Sequence, residues 1–242
     1  MKPELIVMLT HNDETVKDAI ELFDTLKDMP VKYWGFKDVG LPKDQMAKLV
    51  NAMRAANKTT CLEVVSLSEE EGLAGAKLAA ETGFDILMGT VFYDSINNFL
   101  KTTSVQYYPF IGHVHGHPTI LDGTIDEVVA QARQLEAKGV AGIDLLTYRY
   151  TGDAPRLLKK VVDAVTIPVV SAGSINSCEM ISEVWRMGVW GFTIGGAFFK
   201  KDFVKAGTLK DNIAYVNSWL NNTDLPLGVK HPITGEVQPK GV

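Results

Sequence analysis

The stretch "PVVSAGSINSCEMISEVWRMGVWGFTIGGAFF", residues 168–199, contains two short apolar runs separated by a helical pattern. Each apolar run leads directly into a loop of small residues, "AGSIN" after the first and "GGAFF" after the second. An apolar run followed by a loop and an amphipathic helix is typical of a βα unit in a parallel sheet. The stretch therefore predicts one complete βα unit and the strand of the next.

The same alternation continues along nearly the whole chain. Eight short runs are mostly too evenly apolar for the half-exposed strands of an antiparallel sheet. They are ELIVMLT, VKYWGF, TTCLEVV, DILMGT, YYPFIGHV, GIDLLT, IPVVSAG and GFTIGG. Helical patterns lie between them; the first is ETVKDAIELFDTLKDM, with Asn12 and Asp13 before it as predicted helix caps. The pattern predicts an α/β protein built from repeated βα units.

Eight successive βα units in about 220 residues are the count of a (β/α)8 TIM barrel. Doubly wound sheets usually have about five or six strands in a rearranged order, and they remain the alternative. We predict one barrel domain over residues 1–222. Residues 223–242 are rich in Pro and Gly without periodicity, so we predict an irregular C-terminal tail there.

Composition excludes several classes of protein. The 24 basic and 29 acidic residues give a net charge of −5 without a basic stripe, which argues against a nucleic-acid partner. No apolar run approaches the roughly 18 residues of a membrane span, and the N-terminus lacks a secretory signal pattern. Cys61 and Cys178 form no disulfide framework. We expect a cytoplasmic protein without a cofactor or a membrane partner, and homo-oligomerisation stays open.

Small residues follow the seventh and eighth predicted strands. In a TIM barrel the carboxyl ends of the strands open on one face, where ligands bind, so these two loops are expected to be neighbours. Gly173 and Ser174 in one loop and Gly195 and Gly196 in the other leave room for backbone N–H groups to approach an anion. The arrangement predicts a phosphate site; the alternative is that these glycines only permit turns.

The pair "IPVVSAGSIN" and "GVWGFTIGGAFF" resembles the phosphate loops of the ribulose-phosphate-binding barrel superfamily, of the N-acetylmannosamine-6-phosphate epimerase type. The motifs cover about the last third of the βα array, whereas the eight-unit layout covers nearly all of it. The resemblance implies a TIM barrel that binds the phosphate of its substrate through the main-chain amides of Gly173, Ser174, Gly195 and Gly196.

Three ionisable residues lie at or within predicted strands, where apolar neighbours make a charge costly to bury. Lys37 ends the second strand and is expected to stabilise an oxyanion or to act as a Schiff-base amine; a solvated loop lysine is the alternative. Glu63 in the third strand is expected to pair with Lys37 or to carry a proton. Asp144 in the sixth strand is a further candidate for proton transfer.

Histidines are concentrated in "GHVHGHP" at the predicted end of the fifth strand. His113 and His115 alternate, so their imidazoles are expected on the same side, within reach of one metal ion. Because no Asp or Glu is adjacent to this run, we expect one of them to act as an acid, base or hydrogen-bond donor and expect no metal. Arg149 begins the loop after the sixth strand and either binds a substrate carboxylate or phosphate or is an exposed loop residue.

These residues predict an enzyme that binds a small phosphorylated sugar or sugar acid and removes a proton next to a carbonyl, as an isomerase or epimerase does. One alternative is an aldolase-type lyase acting on a phosphorylated keto acid through Lys37. In that respect the chain departs from 2-keto-3-deoxy-phosphogluconate aldolase, whose Schiff-base lysine is on the sixth strand, because "GIDLLTYRY" contains no lysine. Another alternative is a non-catalytic sensor of a sugar phosphate or glycerol phosphate.

Overall fold

The computed structural model describes residues 1–225 and shows a closed barrel of eight parallel strands. Consecutive strands are neighbours and the last strand pairs with the first, so the (β/α)8 prediction is confirmed and the doubly wound order is excluded. The barrel strands are β1 (Glu4–Met8), β2 (Tyr33–Lys37), β3 (Thr59–Val64), β4 (Ile86–Val91), β5 (Gln106–Phe110), β6 (Ile143–Leu146), β7 (Val169–Ala172) and β8 (Gly191–Ile194).

Helices surround the barrel. They are α1 (Ala19–Leu26), α2 (Lys43–Ala55), α3 (Glu69–Thr82), α4 (Asp94–Leu100), α5 (Ile125–Ala137), α6 (Ala154–Ala164), α7 (Cys178–Met187), the short α8 (Gly196–Phe199) and α9 (Leu209–Asn222). Their ends follow local chemistry: the Thr124 hydroxyl accepts the Glu127 N–H in a capping box at the start of α5. Gly83 and Gly188 end α3 and α7 in the left-handed conformation.

The core has two layers. The larger one lies between the barrel and the helices, and a smaller cluster fills the barrel interior. In that cluster the Trp190 ring packs edge-on against Tyr33 and Tyr108, with centroid distances of 5.2 and 6.0 Å. Because Tyr33 begins β2 and Trp190 immediately precedes β8, these rings close the amino-terminal end of the barrel. Access for a ligand is therefore from the carboxyl ends of the strands.

Two short hairpins interrupt the βα pattern, and both correct expectations from the sequence. Thr10–His11 pairs with Glu14–Thr15 through a turn in which Asn12 and Asp13 have φ of 51° and 63°. Two positive φ values are the mark of a type I′ hairpin turn. The prediction that Asn12 and Asp13 cap the first helix is therefore wrong, and α1 begins only at Ala19.

The second hairpin follows β5. The prediction that the fifth strand extends into "GHV" is wrong, because β5 ends at Phe110 and Gly112 turns the chain with φ of 82°. His113–His115 then pairs antiparallel with Ile120–Asp122, outside the barrel.

Thr223 and Asp224 follow α9 without regular structure, and Leu225 packs against the larger core. The predicted tail beyond residue 225 lies outside the described residues. Within residues 1–225, no helix combines the length and apolar character needed to cross a membrane.

Candidate functional site

A cavity of about 600 Å³ opens at the carboxyl ends of the strands. Its walls come from the first hairpin, the ends of β2 and β3, the second hairpin, and the loops after β6, β7 and β8. This is the face on which TIM barrels bind ligands. Lys37, Glu63, Arg149, Gly173, Ser174, Gly195 and Gly196 all line it.

Lys37 and Glu63 are adjacent because β2 and β3 pair with these residues in register. The Lys37 Nζ lies 3.6 Å from Glu63 Oε1, and it donates a 2.9 Å hydrogen bond to Asp13 Oδ1. Only 6% of the Lys37 side chain is exposed. Burial by itself would lower the pKa of Lys37, but the negative charge of Glu63 and the contact with Asp13 outweigh it and raise the pKa. The Lys37 amine is therefore held as an ammonium ion.

Asp13 is a member of the site that sequence reasoning missed. It also accepts a 3.0 Å hydrogen bond from Arg149 Nη2, so one carboxylate oxygen joins two cations. Burial acts to raise the pKa of Asp13, but the hydrogen bond from Lys37 and the charges of Lys37 and Arg149 lower it to about 2. The signal available in the sequence was the Asn-Asp dipeptide, because both residue types tolerate the left-handed backbone conformation that turns use.

Asp144 lies behind the cavity wall rather than in it. It is completely buried in β6, and in the described part of the chain neither carboxyl oxygen has a hydrogen bond of ordinary geometry. Burial and the nearby charge of Glu63 raise the pKa of Asp144 well above its ordinary value; Lys37, the Gly89 amide and Arg149 oppose this with smaller effects. The surroundings of Asp144 therefore favour its protonated form.

Asp38 immediately follows Lys37 and is a second acid with a raised pKa. Its backbone N–H donates to the Glu63 carbonyl at 3.2 Å, which continues the pairing of β2 with β3. Burial raises the pKa of Asp38 to about 6, although hydrogen bonds from its own amide and that of Val65 act in the opposite direction. Asp38 does not line the cavity.

Arg149 connects the charged residues with the small-residue loops. It sits in the 3₁₀ turn Thr147–Arg149 after β6, and its Nη1 donates to the Thr119 carbonyl at 3.4 Å. Its aliphatic stem crosses Gly173, where an added Cβ would lie 3.0 Å from Arg149 Cγ. Arg149 is thus partly buried in the cavity wall and is paired with a carboxylate. It is not the exposed loop residue that the sequence allowed as an alternative.

The loops after β7 and β8 present unused backbone donors to the same cavity. Among the described residues, the amides of Gly173, Ser174, Gly195 and Gly196 donate to no carbonyl or side-chain acceptor. Gly195 is packed tightly, because an added Cβ would lie 2.4 Å from Thr10 Oγ1. Both predicted loops therefore meet at one wall, and their N–H groups are not consumed by secondary structure.

The structure does not bring His113 and His115 to Lys37 and Glu63. Both lie on the second hairpin outside the cavity, although Pro118, Thr119 and Ile120 of that hairpin line it. A histidine that does line the cavity is His11, in the first hairpin, with its ring 5.6 Å from that of Phe199. No sequence motif marked His11.

Comparisons with known proteins establish the fold at low identity. Neither a protein-family model nor a curated protein sequence matches the chain. A structure described as native KDPGal is 12% identical with a TM-score of 0.64, and the match covers 91% of this chain and 94% of that one. The N-acetylmannosamine-6-phosphate 2-epimerase from Clostridium perfringens is 13% identical with a TM-score of 0.59, covering 89% and 92%.

A third similar structure is the glycerol uptake operon antiterminator regulatory protein from Listeria monocytogenes, 16% identical with a TM-score of 0.55, covering 81% of this chain and 93% of that one. The fold that the resemblance to ribulose-phosphate-binding barrels implied is thereby confirmed. Since one fold supports many activities, the activity has to be argued from the site.

Proposed function

We propose that this protein is an isomerase or epimerase that acts on a small phosphorylated sugar or sugar acid by removing a proton next to a carbonyl. One observation carries the proposal. A single cavity has unused backbone amides from two loops at one wall and the ion pair of Lys37 with Glu63 at another.

The amides would hold the phosphate. Gly173, Ser174, Gly195 and Gly196 combine unpaired N–H groups with little side-chain bulk, so phosphate oxygens can approach the backbone. Lys200, which also lines the cavity, adds a cation near the second loop. A phosphate fixed there orients the rest of the substrate without taking part in the reaction.

Lys37 and Glu63 would act on the carbonyl end of the substrate. Glu63 accepts the proton from carbon, the C–H electron pair moves toward the carbonyl, and the resulting enediolate oxygen is stabilised by the Lys37 ammonium. Return of the proton to a different position, or to the opposite face of the same carbon, completes isomerisation or epimerisation. Asp144, whose protonated form is favoured by burial and by the charge of Glu63, would assist by exchanging a proton with Glu63.

The charge state of Lys37 favours this reaction over the lyase. A Schiff base requires a neutral amine, whereas Glu63 and Asp13 raise the pKa of Lys37. Treatment with borohydride in the presence of a phosphorylated keto acid is therefore expected to leave Lys37 unmodified. A covalent adduct at Lys37 would replace the isomerase proposal with the lyase.

Hydrogen exchange tests the proposal on several classes of substrate at once. The protein is incubated in D₂O with a panel of phosphorylated aldoses, ketoses and sugar acids, and deuterium next to the carbonyl is measured by mass spectrometry. We expect exchange with at least one member. Glu63→Gln should slow it by about 10² to 10⁴-fold. Glu4→Gln, at the start of β1 and the opposite end of the barrel, is the matched control and should exchange normally.

The sensor alternative predicts a different outcome. The regulatory protein from Listeria monocytogenes has the same fold, so binding without turnover is a reasonable function for such a barrel. Tight binding of a phosphate ester that Lys37→Ala and Glu63→Gln leave unchanged, together with no exchange for any compound, would support a sensor and contradict the enzyme.

A further inference from the structure

The second hairpin brings together three metal-binding side chains outside the cavity. We propose that His113, His115 and Asp122 bind one divalent transition-metal ion, with Zn²⁺ as the best match. The two imidazoles and the carboxylate each direct one ligand atom into a common region, and these atoms lie within 4.8 Å of one another.

The hairpin geometry explains this convergence. His113 and His115 are two residues apart on one strand, so they share a face, and their ring centroids are 5.1 Å apart. Asp122 pairs with His113 across the hairpin. The sequence offered no acidic neighbour to these histidines because Asp122 lies beyond the turn and reaches them only through strand pairing.

The distances suit a small ion after minor side-chain adjustment. Ligand atoms around tetrahedral Zn²⁺, bonded at about 2.0 to 2.1 Å, lie about 3.3 Å apart. His115 Nε2 already contacts Asp122 Oδ2. The His113 side chain is exposed, and its ring packs against that of His115. Three protein ligands leave a further position for water, as in open zinc sites.

An outer contact orients the carboxylate. The Thr151 hydroxyl donates to Asp122 Oδ1, which leaves Oδ2 directed toward His115. Hydrogen bonds of this kind commonly position metal ligands. Imidazole nitrogens favour Zn²⁺ and similar ions over Mg²⁺ or Ca²⁺, which prefer ligand sets made of oxygen atoms.

The site is placed where an ion would stabilise the cavity rim. The Thr151 amide donates to the Leu121 carbonyl at 3.1 Å, so the hairpin is tied to the loop that carries Arg149. Thr119, on the same hairpin, accepts a hydrogen bond from Arg149 and lines the cavity. The ion would hold together the two chain segments that position Arg149.

Binding of Zn²⁺ alone tests the site in the full chain. Chelator-treated protein is titrated with Zn²⁺ by calorimetry and with Co²⁺ by visible absorption, and we expect one ion per chain. Replacing both histidines (His113→Ala with His115→Ala) or Asp122 (Asp122→Asn) should weaken binding by on the order of 100-fold or more, and Thr151→Val by about 10-fold. His117→Ala, an exposed histidine of the same hairpin outside the cluster, should leave binding unchanged.

Two results would overturn the proposal: no Zn²⁺ binding by the wild-type chain, or equal affinity and stoichiometry in the wild-type and double-histidine proteins. Thermal unfolding without metal shows whether each variant is folded. Because the readout is metal binding rather than turnover, failure here leaves the proposed isomerase activity standing, and loss of that activity leaves the metal site standing.

Discussion

Whether a buried group at the site keeps its charge depends on the contacts that its side chain makes. Lys37 keeps its charge because Asp13 and Glu63 lie within 2.9 and 3.6 Å of its Nζ. For Asp144, burial and the charge of Glu63 outweigh the opposing effects of Lys37 and Arg149, so its pKa is raised. Burial thus has different outcomes for neighbouring groups: Lys37 keeps its charge, whereas the protonated form of Asp144 is favoured.

Asp38 makes the stability of the protein dependent on pH. Its folded pKa of about 6 exceeds the ordinary pKa of 3.8, so the folded state binds more protons between these values and stability falls as pH rises through this window. Asp38→Asn should therefore gain stability relative to wild type by up to about 3 kcal/mol between pH 4 and pH 6. Urea unfolding at a series of pH values measures this, with the exposed Asp28→Asn as control; a pH-independent difference would contradict it.

Gly173 is constrained by both its backbone and its neighbour. Its φ is 84°, which costs a residue with a Cβ about 1 to 2 kcal/mol, and that Cβ would also displace Arg149. Gly173→Ala should lower the free energy of unfolding by at least this amount and weaken phosphate-ester binding. Gly123→Ala is the matched control. Gly123 also has a positive φ, of 108°, but the nearest atom to an added Cβ is 3.8 Å away. Equal binding by the two variants would contradict a role for Gly173 beside Arg149.

At the level of elements, strand ends and hairpins supply different parts of the site. Strand register brings Lys37 beside Glu63, while the first hairpin folds back over the barrel and adds His11 and Asp13. The second hairpin contributes Thr119 and positions Arg149. The barrel strands therefore supply Lys37 and Glu63, and the two hairpins that interrupt the βα pattern complete the cavity.

Substitutions at Asn12 test whether the first hairpin holds Asp13 in the cavity. Asn12 has φ of 51°, a conformation that Gly adopts freely and a β-branched residue strongly disfavours. Asn12→Gly should preserve stability, whereas Asn12→Val should lower it by about 1 to 2 kcal/mol and shift Asp13 away from Lys37 and Arg149. Chemical unfolding and phosphate-ester affinity measure the two effects, and identical behaviour of both variants would contradict the type I′ turn.

At the scale of the whole molecule, ligand binding is linked to folding. Because the proposed phosphate site is assembled from loops after β7 and β8, it exists only in the closed barrel, and a ligand bound there stabilises the folded state. A phosphate ester at 100 times its Kd should add about 2.7 kcal/mol, a rise in Tm of roughly 5 to 11 °C for a domain of this size. Calorimetry measures the shift. Gly195→Val, whose side chain would meet Thr10, should abolish it.

Much of the architecture could be predicted from local patterns. The eight apolar runs correspond to the eight barrel strands, because apolar patterning depends on residues close in the chain. The predicted helix start at Asn12 and the predicted strand end at His113 were wrong, because a short hairpin occupies each of these positions. A strand of two residues has too few positions to show the alternation of apolar and polar side chains by which strands are recognised.

Local patterns specify the βα repeat, the alternation that places His113 and His115 on one face, and the small-residue loops after the last two strands. The folded barrel was needed to show that Asp13 joins Lys37 to Arg149, that Asp144 lies behind the cavity, and that Asp122 reaches the two histidines. The contacts of Asp13 join residues that are far apart along the chain. Asp13 and Arg149 are separated by 136 positions, and only closure of the barrel makes them neighbours.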